Sequence, residues 1–158
     1  MCEYCGCQAL ESIDELTQEH ERVVTLISRA RDARRDGDLA AMAGAAREIA
    51  AVLAPHTLVE EYGLFPALAD DFPDQMAQLE GEHREIEAVL AESAHGTPAD
   101  PGWPGRLEET LGLLREHILK EQDGVFPAAL ANLTTEQWEA VEILRARVGS
   151  HPREPSSP

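Results

Sequence analysis

Two histidines in matching sequence contexts each stand four residues ahead of a glutamate: His56 before Glu60, and His117 before Glu121. On an α-helix that spacing sets the imidazole and the carboxylate on the same face, so each pair can grip one cation from a single helix. Two further histidines, His20 and His83, lie on helical stretches of their own. Four imidazole nitrogens and two carboxylates suit a pair of first-row ions, iron above all, with the carboxylates able to bridge them.

The pairs belong to an internal repeat. HTLVEEYGLFPAL from His56 overlies HILKEQDGVFPAAL from His117 at an offset of 61 residues, and QEHERVVTLI overlies GEHREIEAVL, aligning His20 with His83 at an offset of 63. Two similar helical hairpins facing each other would bring all six side chains to one bundle axis. All four histidines fall on or beside apolar stripes, which predicts that they are buried. Two uncompensated carboxylates in a bundle interior would cost several kcal/mol each, and metal ions provide the compensation.

The elements that must position these residues read as helices. Ser12 with Glu15 forms a capping-box pattern, and Ile13, Leu16, His20, Val23, Ile27 and Ala30 follow at helical spacing, predicting helix one over 12–36. Asp38 is a cap for helix two, with a kink expected at Pro55 before the helix resumes to about Leu68. Helix three is expected from Pro73-Asp74 to about Ala94, and the segment HGTPADPGWPG breaks it. Helix four is expected over 106–123, and a short fifth helix from Thr134 or Thr135 to about Gly149. The fold expected is all-α: an up-down four-helix bundle over 12–149 with a short fifth C-terminal helix. A cysteine-rich tail over 1–11 precedes it and a disordered tail over 150–158 follows.

The repeat, the two HxxxE pairs and the FP that follows each resemble the hemerythrin-like proteins, the HHE cation-binding domains, over roughly Ser12 to Leu130. The resemblance implies a non-haem di-iron centre, two iron ions with an oxide or hydroxide bridge. It implies His20, His56 with Glu60 ahead of Phe65-Pro66, His83, and His117 with Glu121 ahead of Phe126-Pro127 as the ligand positions. Oxygen-carrying members place a second histidine four residues after the one on helix three, where this chain has Glu87. With Glu87 as a ligand the set becomes four histidines and three glutamates, and the added hard carboxylate disfavours simple reversible oxygen carriage.

Around this set, Tyr62 reads as a half-buried packing residue that would reach the metals only if the helix distorts near Gly63, and Glu61 reads as solvent-facing. His95 and His151 read as surface residues. Cys2, Cys5 and Cys7 are too few and too close together to staple a domain. A shared metal, a redox pair, a link between two chains or a protein partner, and a tail without chemistry all remain open for them.

The formal charge of −17, from 30 acidic against 13 basic residues, repels phosphate backbones and anionic membrane surfaces. No nucleic-acid or membrane partner is expected, no stretch approaches the ~18 apolar residues of a membrane span, and a cytoplasmic protein is the expectation. The functional reading is a di-iron protein that meets oxygen, peroxide or nitric oxide in sensing, scavenging or detoxification. Peroxide disproportionation, iron storage or iron-responsive interaction, and a metal-free helical adaptor are the alternatives.

Overall fold

In the computed structural model, residues 5–149 are described, with side chains from Gly6. The helices are α1 (Cys5–Arg35), α2 (Leu39–Val59), α3 (Phe65–Leu68), α4 (Pro73–Ala91), α5 (Trp103–Lys120), α6 (Phe126–Asn132) and α7 (Thr135–Val148). Two π-helical turns, π1 (Glu60–Leu64) and π2 (Glu121–Val125), join α2 to α3 and α5 to α6, so each pair is one nearly continuous rod. Four rods pack as a bundle in which α1 neighbours α2 and α5, and α4 neighbours α2 and α5. The fifth helix, α7, lies against α1, α2 and π1. This is the helical bundle with a short C-terminal helix that the periodicity predicts.

Several boundaries differ from expectation, each for a local reason. The chain is helical from Cys5, so Ser12 is not a cap: Ala9 is buried against the lower core, and Gln8 donates to Glu142 of α7 at 2.7 Å. The stretch from Cys5 to Glu11 is thus part of α1 rather than tail. Asp38 does cap α2, accepting from Ala41 N at 3.0 Å, and Thr134 caps α7 with a reciprocal Gln137 box. Helix four starts at Trp103 because Asp100 accepts from Gly102 N at 2.9 Å and pairs with Arg106, setting the first turn early.

Pro55 lies inside a continuous α2, and the distortion falls further on, at π1. Pro66 and Pro127 explain it. Proline has no amide hydrogen to give the carbonyl four residues back, and its ring crowds that carbonyl, so the preceding turn widens. Phe65 N–H accordingly donates to Glu60 O, and Phe126 N–H to Glu121 O, five residues back.

The interior is two apolar clusters with a polar layer between them. The upper cluster holds Val23, Leu53, Ile86 and Leu114; the lower holds Leu16, Val59, Leu79 and Val125. On each rod a metal-type ligand falls between the two: His20 between Leu16 and Val23, His56 between Leu53 and Val59, His83 between Leu79 and Ile86, and His117 between Leu114 and Val125. Large side chains above and below, Trp103 and Phe65 among them, are fully buried. No helix among the described residues is long and apolar enough to cross a membrane.

Candidate metal centre

The polar layer contains His20, His56, Glu60, His83, His117 and Glu121, all buried, with Glu60 and Glu121 wholly inaccessible. Their ligand atoms form two quartets: His20, His56, Glu60 and Glu121 in one, and Glu60, His83, His117 and Glu121 in the other. Within each quartet all four atoms lie within 4.8 Å of one another, the spread expected around one cation. Both carboxylates are common to both quartets.

The geometry follows the pseudo-twofold axis. Glu60 Oε2 is 3.3 Å from Nε2 of His56 on its own rod, and Oε1 is 3.2 Å from Nε2 of His83 on the opposite hairpin. Glu121 repeats this, with Oε2 3.3 Å from His117 Nε2 and Oε1 3.0 Å from His20 Nε2. The imidazoles pair within hairpins, His20 with His56 and His83 with His117, each at 4.6 Å between ring centroids. Each phenylalanine of the repeated FP stacks across the axis: Phe65 on His83 at 5.8 Å, Phe126 on His20 at 5.3 Å.

Several of these buried atoms have no hydrogen-bond partner: His56 Nε2, His117 Nε2, both oxygens of Glu60, and Glu121 Oε2. Buried polar atoms are nearly always satisfied, so a cluster of orphans pointing at a common centre has the character of a ligand set. The donor chemistry, imidazole nitrogen with carboxylate oxygen, fits iron.

Electrostatics in the metal-free cluster point the same way. Burial by itself would lower the His56 pKa, but the charge of Glu60 at 3.3 Å and the hydrogen bond to Glu19 outweigh it and lift the imidazole to about 10. His117 is lifted to about 9, burial again being outweighed, here by Glu121, Glu60 and Glu82. His83 is raised against burial chiefly by Glu60. Glu60, which burial would raise, is held well below the usual carboxylate range by the imidazoles of His56 and His83. Protons thus balance the carboxylates where cations otherwise would, and metal entry must displace them.

A second layer of carboxylates holds the rings from behind. His56 Nδ1 donates to Glu19 Oε1 at 3.0 Å, His117 Nδ1 to Glu82 Oε1 at 2.8 Å, and His83 Nδ1 to Glu61 Oε2 at 2.5 Å. Such partners fix the tautomer and aim the other nitrogen inward. Each carboxylate is itself held by a cation: Glu19 by Arg145, Glu82 by Lys120, and Glu61 by Arg84. Glu19 and Glu82 were legible in principle, since both repeats read Glu-His at the same register, QEH and GEH. Glu61 is a correction: it faces His83 and not solvent, because the wide π turn rotates the positions after Glu60.

The remaining candidates lie elsewhere. Glu87 contributes to the lining of the small void at the cluster, but its carboxylate is half exposed and 3.2 Å from Arg84, and it joins neither quartet. Tyr62 is 69% exposed rather than half-buried, although the helix does distort at Gly63. His95 is exposed. His151, Cys2 and the Cys5 side chain lie outside the described residues, and Cys7 is half-buried on α1.

A family model described as hemerythrin HHE cation binding domain matches residues 11–129. No curated protein and no solved structure gives a significant match.

Proposed function

The chain belongs to the hemerythrin HHE cation-binding domain family, and on that premise we propose that it holds two iron ions and reacts with oxygen, peroxide or nitric oxide. The observation that carries this reading is the pair of buried quartets sharing Glu60 and Glu121. His20 and His56 would hold one ion and His83 and His117 the other, with Glu60 and Glu121 available to both. Iron bound there would supply the electrons for reaction with a small ligand.

The protein's own side chains do the rest. Glu19, Glu61 and Glu82 orient three of the imidazoles, and Phe65 and Phe126 cover two rings from the lower side. The apolar clusters on either side exclude water and admit small, weakly polar molecules. Sensing, scavenging or detoxification all use such a site. Peroxide disproportionation would be favoured by Glu87 or Tyr62 as an additional ligand; the Arg84 pair of Glu87 and the exposure of Tyr62 favour binding and stoichiometric reaction over turnover.

Metal analysis of protein loaded anaerobically with iron(II) tests the reading. Two irons per chain are expected, with His117→Ala and Glu121→Gln both depleting the site and Glu87→Ala retaining it. The reduced, loaded protein is then mixed with oxygen, peroxide or nitric oxide while its visible spectrum is followed. No bound transition metal would leave a helical interaction protein, and steady oxygen release from peroxide would turn the reading to an enzyme.

A further inference from the structure

The two halves of the repeat obtain their supporting cation from different places. In the second hairpin, Lys120 immediately precedes the ligand Glu121 and reaches Glu82 Oε2 at 2.5 Å, while Glu82 Oε1 takes the proton of His117 Nδ1. The repeat offset of 61 puts Val59 at the matching position of the first hairpin, where it is apolar and buried. Glu19, the counterpart of Glu82, therefore has no equivalent lysine.

Arg145 of α7 supplies the missing charge. Its Nη2 lies 2.8 Å from Glu19 Oε1 and its Nη1 3.0 Å from Oε2, a two-pronged grip on the carboxylate that orients His56. Its Nε also lies 3.4 Å from Glu15 Oε2. A guanidinium fork fixes both oxygens of a carboxylate where an ammonium fixes a point, so the grip sets direction as well as charge.

The same helix touches the ligand-bearing rod a second time. A Cβ at Gly63, inside π1, would sit 3.2 Å from Val141 Cγ2 and 3.5 Å from Leu144 Cδ2, so α7 approaches this turn as closely as glycine allows. Gly124, its counterpart in π2, has nothing within 4 Å of that position. Residues 135–148 lie beyond the span matched by the family model.

We propose that Arg145 is a positioning residue for His56 and that docking of α7 and occupancy of the centre are linked. The chain Arg145, Glu19, His56 transmits in both directions. Seating α7 aims His56 Nε2 at the ion, and an ion on His56 strengthens the seat of α7 by the same factor, as linkage requires. The first hairpin, lacking a lysine at position 59, has recruited a helix from outside the repeat to complete its centre.

This rests on the metal-binding reading above, and the experiment separates the two. Iron(II)-loaded wild type, Arg145→Met, Arg145→Lys and Glu19→Gln are challenged with 2,2′-bipyridine, and iron release is followed with time. Amide hydrogen exchange over 135–148 is measured with and without iron. The expected result is that Arg145→Met releases one of its two irons about 10-fold faster, within the range for loss of an outer partner. Arg145→Lys, which keeps the charge but not the fork, falls between; Glu19→Gln resembles Arg145→Met. Amides of α7 exchange more slowly in the loaded than in the metal-free wild type, and Arg145→Met abolishes that difference. Equal release from wild type and both Arg145 variants, or α7 exchange indifferent to iron, overturns the inference while leaving the metal site standing. A wild type that takes up no metal overturns both.

Discussion

His83 Nδ1 donates to Glu61 Oε2 at 2.5 Å, while Gln122, which holds the place of Glu61 in the second repeat, accepts instead from Thr17 at 3.4 Å. His20 Nδ1 is consequently left without a hydrogen-bond partner. The half-site of His83 and His117 has both rings backed by carboxylates, and the half-site of His20 and His56 only one.

Glu61→Gln removes the charge behind His83 while keeping its size. Its loss is expected to weaken one of the two metal sites by about 10- to 100-fold, the usual cost of an outer-sphere partner. A competition titration against a chromophoric chelator should become visibly biphasic, and a wild-type titration curve would show that Glu61 does not tune the metal.

The pKa directions give the metal-free protein a defined pH response. His56 at about 10 and His117 at about 9 lie above the ordinary 6.5, so each binds its proton more tightly folded than unfolded. Their contribution to stability is complete below about 6.5 and is lost as pH climbs through 9 and 10. Urea midpoints of chelator-treated protein should therefore fall between pH 7 and 10. Adding iron at pH 7 should release protons, because ligation requires neutral imidazole; uptake with no proton release would contradict the charge state described here.

The two glycines of the π turns offer a paired comparison. Gly124→Ala places its methyl in open space and should gain about 0.5–1 kcal/mol from reduced backbone freedom in the unfolded chain. Gly63→Ala must push Val141 aside and should gain less or lose stability. Thermal midpoints of the two variants measured side by side decide the matter, and equal gains would mean that α7 yields easily.

Phe126 stacks on His20, the ring with no carboxylate behind it. Phe126→Leu keeps an apolar filler but removes the flat face, so the position of His20 should loosen. The variant should cost about 1–2 kcal/mol in stability, toward the lower end of large-to-small core changes. His20 ring resonances should broaden in the NMR spectrum of the metal-free variant more than those of His117, and unchanged His20 lines would make Phe126 a mere filler.

Much of this site is local in origin, and that part was legible in the chain. Four-residue spacing fixes His56 beside Glu60 and His117 beside Glu121 wherever the helix goes, and the repeated Phe-Pro marks the turn that follows each glutamate. The repeat of Glu-His announces paired helices with paired chemistry, and the apolar stripes bury both. Each of these depends only on the helical period. Tertiary structure decided what that period does not encode. Each glutamate spans one histidine of its own rod and one of the opposing hairpin, because the carboxylates meet at the axis between the two. Glu61 turns inward and Tyr62 outward because a π turn carries more residues than an α turn and shifts the face that follows it. Arg145, 126 residues from Glu19, reaches it only because α7 folds back against α1, a contact between distant segments that no local spacing announces.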